Sequence, residues 1–510
     1  MLNFRLKVPI SLIAVALLFR WLVSLFPYSG HKSPPMYGDY EAQRHWMEIT
    51  TNLPVQKWYE NSTDNDLLYW GLDYPPLTAY HMFALGYVSS KFINSSWTQL
   101  HESRGLETYE HKLFMRSTVI LSDLIIYLPP ATYYFYKTQP LRYNSPPSTV
   151  HKYNVGIYAA LFMLYPAQIL IDHGHFQYNC VFMGLTLCAI LAIIKGQHLI
   201  ASLMFTLALC YKQMSLYYSL PFFWLLASSN LRIRPVWKGA RNIALIGLTV
   251  SLTFVVIFAP YISDASRLFK VIKRIFPFNR GLFEDKVANL WFSLSIFYKY
   301  RQLYSLDDLL KASTASTLIF SLPAGIHLLF RPTLRTFKYA LVNTSLVFFL
   351  FSYQVHEKTI LVPALPILLL YREHPLVVNW FAITSTFSLQ PLLEKDGQIV
   401  PYAVLIIIYV LFSLEIFRSS ITFNLNKILT LHNFTAMAYL TSLLVSCMLG
   451  ICALVVNPPA RYPHLHPTLN AVYCCAHFFG FLGFFYWREF RLDGRADSTS
   501  DNLLLLKKTK

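Results

Sequence analysis

A chain of 510 residues that is 55% hydrophobic and 14% charged, with a mean hydropathy of +0.40, is too apolar for a soluble domain of this length. Its formal charge of +17 would suit a nucleic-acid binder, but the basic residues fall mostly in short links between apolar runs, which is the positive-inside pattern of a polytopic membrane protein. The seven cysteines all lie in or beside apolar runs, so neither a disulfide framework nor zinc-ligand spacing is present, and no nucleic-acid partner is expected.

The first apolar run, 8–26, is long enough to cross a hydrocarbon core, which takes about 20 residues. It lacks a small-residue cleavage site and continues with Arg20 and Trp21, so it reads as a retained span. Residues 27–112 are instead polar, aromatic and acidic, and carry Asp39, Glu41, Arg44, His45, Asp73 and His81. The sequons Asn61-Ser62-Thr63 and Asn94-Ser95-Ser96 place this loop in a lumen, and its carboxylates suggest a catalytic loop. Further spans are expected at 113–136, 153–171, 178–195, 198–211, 215–228 and 242–262. A second luminal loop, 263–313, with amphipathic helices would follow, then spans at 314–330, 339–353, 358–371, 376–393, 400–418, 434–455 and 468–487. The total is fourteen, in an all-α polytopic membrane protein. With 1–7 in the cytosol, the basic links alternate to one side provided that 287–300 is not a span. The basic tail, 488–510, ends in Lys507-Lys508-Thr509-Lys510, which matches the dilysine retrieval signal of endoplasmic-reticulum membrane proteins and puts both termini in the cytosol.

This topology sends the unusual polar clusters to the luminal side: 38–46, 71–76, 172–179, 211–214, 280–286 and 354–358. Ionisable groups at span ends are costly unless they face a wet cavity or an ionic ligand, so six clusters on one side argue for a single site. Other readings stand beside this one. Asp39 and Asp73 could cap the helices that follow them. Lys212 and Arg280 could snorkel or pair with carboxylates. His173 and His175 have the look of a metal pair, but no further ligand stands at firm spacing.

The segments Gly38-Asp39-Tyr40-Glu41-Ala42-Gln43-Arg44-His45-Trp46 and Trp70-Gly71-Leu72-Asp73-Tyr74-Pro75-Pro76 resemble the endoplasmic-reticulum glucosyltransferases that use dolichyl phosphate glucose to extend a lipid-linked oligosaccharide. Later segments agree: Gly174-His175-Phe176-Gln177-Tyr178-Asn179, Tyr211-Lys212-Gln213-Met214, Gly281-Leu282-Phe283-Glu284-Asp285-Lys286 and Gln354-Val355-His356-Glu357-Lys358. The resemblance runs from about residue 28 to 400. Within the family, the first segment and Tyr-Lys-Gln-Met resemble the members that add the first glucose, through an α-1,3 linkage, to the nine-mannose acceptor. The second glucosyltransferase of the pathway is the nearest alternative.

The resemblance implies a GT-C type, inverting enzyme with no metal and no cofactor, whose first-loop aspartate, Asp39, is the general base. The expected substrates are dolichyl phosphate glucose and a dolichyl-diphosphate-linked oligosaccharide, met at the surface of membrane lipid. Asp39 is followed by Tyr40 and Glu41, so no DxD-type pair occurs there, in keeping with a donor that carries one phosphate. Candidates for the donor phosphate are His356 first, then Lys358, Arg280 and Lys212. Substrate contacts are expected from Asp73, Tyr40, Arg44, Trp46 and Tyr74; the aromatic rings, with Trp70, could stack on sugars or form an interfacial belt. A transporter is disfavoured by the long carboxylate-bearing loop, while a glycan-binding subunit would share that loop without needing Asp39.

Overall fold

The computed structural model describes residues 4–137, 149–276, 286–417 and 431–491, and among them every regular element is helical. α1 (Phe4–Ser24) leads into the first loop. There α2 (Asp39–Asn52) and α3 (Pro76–Phe92) pack against each other. α2 starts after Gly38 in an extended conformation, and its first turn holds Asp39 and Glu41, where carboxylates oppose the positive end of the helix dipole. Pro76 opens α3, its fixed φ suiting the first turn. The alternative reading, that Asp39 and Asp73 cap these helices, does not hold: the cap positions are Gly38 and Pro75.

α4 (Tyr109–Ser122), a π turn (Asp123–Tyr127) and α5 (Leu128–Lys137) run on as one rod. α6 (Thr149–Met163) and the single turn α7 (Pro166–Ile169) are separated at Pro166, and a second π segment, Leu170–Phe176, follows. Next come α8 (Asn179–Ile194), α9 (His198–Tyr211), α10 (Ser219–Leu231) and α11 (Val236–Ile262). The segment expected to be a second loop holds the amphipathic α12 (Ala265–Ile275), capped by Asp264, with α13 (Leu290–Phe297) and α14 (Tyr300–Leu303), both too short to cross a bilayer. α15 (Leu306–Phe330), α16 (Leu334–Phe351) and α17 (Leu361–Leu368) follow, then α18 (Pro375–Phe387), α19 (Gln390–Lys395) and α20 (Ile399–Ile416). α21 (Leu431–Val455) and α22 (Leu465–Phe490) complete the order.

Among the described residues, seven helical stretches are long and apolar enough to cross a membrane: Tyr109–Tyr136, Val236–Ile262, Leu306–Phe330, Pro375–Lys395, Ile399–Ile416, Phe434–Val455 and Leu465–Phe490. The chain is therefore a multi-pass membrane protein. Of the other expected spans, 8–26 and 339–353 fall on α1 and α16, of 21 and 18 residues, and the rest on shorter helices or on helices broken by proline and π or 3-10 turns. α11 is apolar yet exposed along nearly all its length, as a lipid-facing helix must be, whereas α18 is almost wholly enclosed.

One buried ionic cluster stitches the site-bearing turn to this bundle. Arg20 on α1, fully buried, donates to Asp123 Oδ2 in the first π turn, to Gln168 Oε1 at 2.8 Å and to the Met163 carbonyl at 2.9 Å. His173 Nε2 meets the same Asp123 oxygen at 2.9 Å. A buried guanidinium needs such saturation, and here it fixes the segment carrying His173 and His175 relative to α1 and α4.

Candidate active site

A cavity of about 620 Å³ opens between the first loop, the links α7–α8, α9–α10 and α16–α17, the end of α12 and the first turns of α15. α2 points Asp39, Gln43 and Trp46 into it. These positions are four and three residues apart, so they share one helix face.

Asp39 is half-buried, and every hydrogen bond its carboxylate accepts from the described residues falls on Oδ2. His175 Nε2 lies at 3.1 Å, Lys358 Nζ at 2.6 Å and Gln177 Nε2 at 2.5 Å. Oδ1 is left for a ligand. Burial alone would raise the Asp39 pKa, but the Lys358 ammonium and His175 outweigh it and hold the carboxyl well below its usual range. Asp39 is thus ionised at neutral pH.

The neighbours of Asp39 are themselves braced. Lys212 Nζ donates to Asn179 Oδ1 at 2.6 Å and to Gln177 Oε1 at 3.2 Å, and stands 4.8 Å from the centre of the Tyr74 ring. Asn179 Nδ2 also donates to Gln177 Oε1, at 3.0 Å, which turns the Gln177 amide nitrogen toward Asp39. Asp172 accepts from the Asn179 and Cys180 backbone nitrogens at 3.1 and 2.7 Å, ordering the start of α8. On the opposite wall Trp46 Nε1 donates to the Trp70 carbonyl at 2.8 Å and its ring meets Tyr74 edge-on at 5.0 Å. Trp70, Phe176 and Gln354 adopt φ of 51°, 87° and 56°. Such left-handed backbone costs a non-glycine residue about 1–3 kcal/mol and gathers at functional sites; Trp70 and Gln354 line the cavity and Phe176 precedes a lining residue.

Of the residues singled out from sequence, Asp39, Trp46, Asp73, Tyr74, Lys212, His356 and Lys358 all line this cavity, as does Trp70. Lys358 is already engaged with Asp39 and sits 3.1 Å from His175 Nε2. Arg280 lies outside the described residues.

Tyr40 and Arg44 are not brought to the cavity, and the expectation of substrate contact for them is corrected. They sit on the other face of α2. The Tyr40 hydroxyl is 2.9 Å from His111 Nδ1, and its ring stacks on Tyr28 at 4.0 Å. Arg44, fully buried, grips Glu41 through Nε at 2.8 Å and Nη2 at 2.7 Å, and reaches Glu48 at 2.7 Å. Burial would raise the Glu48 carboxyl, but His45 and Arg44 bring it down to about 2. These groups hold the loop together.

The pair His173 and His175 does not converge on a common point: His173 turns to Asp123, while His175 bridges Asp39 and Asp396. Among the described residues no group of three or more His, Cys, Asp or Glu is arranged to hold a metal ion. Sequence reasoning missed Gln43, Gln177 and Arg274 as lining residues and gave no role to Asp396. Arg274 donates to the Gly71 carbonyl at 2.7 Å and the Leu72 carbonyl at 3.1 Å, docking α12 on the first loop.

The model of the ALG6, ALG8 glycosyltransferase family matches residues 16–485 of this chain. Over 489 residues the chain is 43% identical to the dolichyl pyrophosphate Man9GlcNAc2 alpha-1,3-glucosyltransferase of Gallus gallus, covering 93% of this chain and 94% of that protein. The protein of the same name from Mus musculus is 42% identical with the same coverage. The probable dolichyl pyrophosphate Man9GlcNAc2 alpha-1,3-glucosyltransferase of Dictyostelium discoideum is 46% identical over 434 residues, covering 83% of this chain and 81% of that one.

Proposed function

We propose that this chain, which belongs to the ALG6, ALG8 glycosyltransferase family, is a dolichyl-phosphate-glucose-dependent alpha-1,3-glucosyltransferase acting on the dolichyl-diphosphate-linked Man9GlcNAc2 oligosaccharide. In this reading it is a GT-C type enzyme of the endoplasmic-reticulum membrane with fourteen spans, a luminal site and cytosolic termini. The observation that carries the chemistry is the Asp39 carboxylate, ionised, tied through Oδ2 and open at Oδ1 on the wall of a polar and aromatic cavity. The whole-length likeness to the named relatives carries the choice of substrates.

The reaction is one displacement. The 3-hydroxyl oxygen of the terminal mannose forms a bond to glucose C1 as the bond from C1 to the phosphate oxygen breaks, so a β-linked donor gives an α-linked product. The hydroxyl proton passes to Asp39 Oδ1; a placed base contributes roughly 10²–10⁴-fold. The leaving dolichyl phosphate is stable without protonation, so no general acid is needed. Its growing charge calls for cationic or N–H donors. His356 and Lys212 on the cavity wall, and Arg280 nearby in sequence to α12, are the candidates; Lys358, paired with Asp39, acts first to keep the base ionised. Trp46, Trp70 and Tyr74 offer ring faces and edges to sugars, and Asp73 a carboxylate to their hydroxyls. The donor supplies all the driving force, and the mechanism uses no metal.

Purified protein given synthetic dolichyl phosphate glucose and a lipid-linked nine-mannose acceptor is expected to form the glucosylated lipid. Asp39→Asn is expected to fold normally and lose at least 100-fold in turnover, because an amide cannot take the proton. Near-normal turnover by folded Asp39→Asn protein overturns the mechanism. Preference for an acceptor already carrying one glucose would instead favour the second enzyme of the pathway.

A further inference from the structure

Asp396 stands in the turn between α19 and α20, more than 350 residues from Asp39, yet one imidazole joins them. His175 Nδ1 is hydrogen-bonded to Asp396 Oδ2, and His175 Nε2 lies 3.1 Å from Asp39 Oδ2. All but a few per cent of the His175 and Asp396 side chains is buried. The approach depends on Gly174: a Cβ there would stand 2.7 Å from Gln398 Oε1, in the same turn as Asp396. Gln398 in turn donates to the Pro27 carbonyl, tying that turn to the start of the first loop.

We infer that Asp396 is a positioning residue for the transfer reaction, acting through His175 to hold a doubly protonated imidazole against the base and so fix both the orientation and the ionisation of Asp39. The inference rests on the reading of Asp39 as the base. An ionised carboxylate only accepts hydrogen bonds, and a neutral imidazole has one N–H to give. A neutral ring with its proton on Nδ1 would accept at Nε2 from Lys358, 3.1 Å away, and leave the 3.1 Å contact to Asp39 Oδ2 without a proton; both carboxylate contacts are made at once only by the imidazolium. The charged groups facing His175 are Asp39 from α2, Asp396 from the α19–α20 turn and Lys358 from the α16–α17 link. Arg116 of α4 donates to the neighbouring His173 and Gly174 carbonyls, the latter at 2.9 Å. Two carboxylates thus oppose the cations Lys358 and Arg116. Burial lowers the His175 pKa, but Asp396 and Asp39 more than restore it against Lys358, and the net shift is upward. Lys358 and His175 donate to the same Asp39 oxygen, which leaves the other free for the hydroxyl proton.

The test is the pH profile of transfer by full-length Asp396→Asn beside the parent enzyme, with melting temperatures on the same preparations. An Asn at 396 can still accept a hydrogen bond from Nδ1 but brings no charge to stabilise the imidazolium. His175 then loses its proton at lower pH, and Asp39 loses a cation that held its pKa down. The acid limb of log kcat should move up by about one unit or more, the alkaline limb should move down, and KM for the acceptor should change little. Asp396→Glu, which keeps the charge, should restore much of the profile. In His175→Gln protein, adding Asp396→Asn should have almost no further effect, because the intermediary is already gone. A stable Asp396→Asn enzyme with the parental profile overturns the inference, as does full additivity with His175→Gln. If Asp396→Asn is unstable, the comparison passes to His175→Gln alone, which removes the same imidazolium, and a parental profile in stable His175→Gln protein overturns the inference equally. Turnover by Asp39→Asn would reject the base itself; loss there with an unshifted Asp396→Asn profile rejects only Asp396.

Discussion

His356 occupies the position before the 3-10 turn Glu357–Ile360 and lines the cavity, two residues from the lysine that holds Asp39. An imidazole N–H aimed at a phosphate oxygen gains strength as the leaving group takes up charge, an effect of roughly 2–4 kcal/mol by analogy with oxyanion donors. His356→Ala is therefore expected to lower kcat at saturating donor about 30-fold or more while acceptor affinity stays nearly constant. Melting temperature measured on the same protein separates this from a packing role. A parental rate in stable protein, or a collapse in stability, removes His356 from the mechanism. At this scale much of the site was legible in the sequence, because charged groups beside apolar runs are expensive and stand out. Asp396 was not: Asp-Gly at 396–397 reads as a turn, Gly397 does take φ of 69°, and nothing local announces that the aspartate faces a histidine 221 residues away.

α2 shows what periodicity can and cannot sort. The sequence marked 39–46 as one functional block, yet only the face through Asp39, Gln43 and Trp46 meets the cavity, while Tyr40 and Arg44 turn to the loop interior. A 3.6-residue period applied to the block would have made that division. No period could have revealed the π segment at 170–176, on which His173 and His175, two residues apart, meet different carboxylates. That segment also rests on a missing side chain. Gly174→Ala should destabilise the protein by about 1–3 kcal/mol, since the new methyl must displace a fully buried and hydrogen-bonded Gln398. It should slow transfer as well, by moving His175 off Asp396. Gly247→Ala on the exposed α11 is the control: a Cβ there meets nothing within 4 Å, and helix propensity favours alanine by about 0.5–1 kcal/mol. Thermal unfolding and transfer rates of both variants check this, and equal behaviour would refute the packing argument.

Across the whole molecule, the cavity is built from links that the charge pattern assigns to one side of the membrane. Residues from 36–46, 67–74, 177–182, 212–217 and 352–359 come together although they lie far apart in the chain. Apolar runs and basic links were enough to foresee that convergence, whereas the bent and broken helices that achieve it follow from proline and π turns whose tertiary partners the sequence does not display. The side on which the cavity opens can be read through the first loop. Asn61 and Asn94 are both exposed, and Asn94 sits at the cap of a 3-10 turn with its Oδ1 accepting from Ser96 N at 2.9 Å. Both side-chain oxygens accept hydrogen bonds within the loop, Asn61 Oδ1 from Leu67 N at 3.2 Å. In a luminal loop, at least one sequon should be modified in protein expressed in sealed microsomes, giving an endoglycosidase-sensitive mobility step that Asn61→Gln or Asn94→Gln removes. A membrane-impermeant thiol reagent supplies a readout independent of glycosylation. Asn61→Cys in a background without exposed native cysteines should resist labelling from outside the vesicles and react once they are permeabilised. Labelling of intact vesicles at that position would put the loop in the cytosol. Asp39, carried by the same loop, would then be on the wrong side for the proposed reaction.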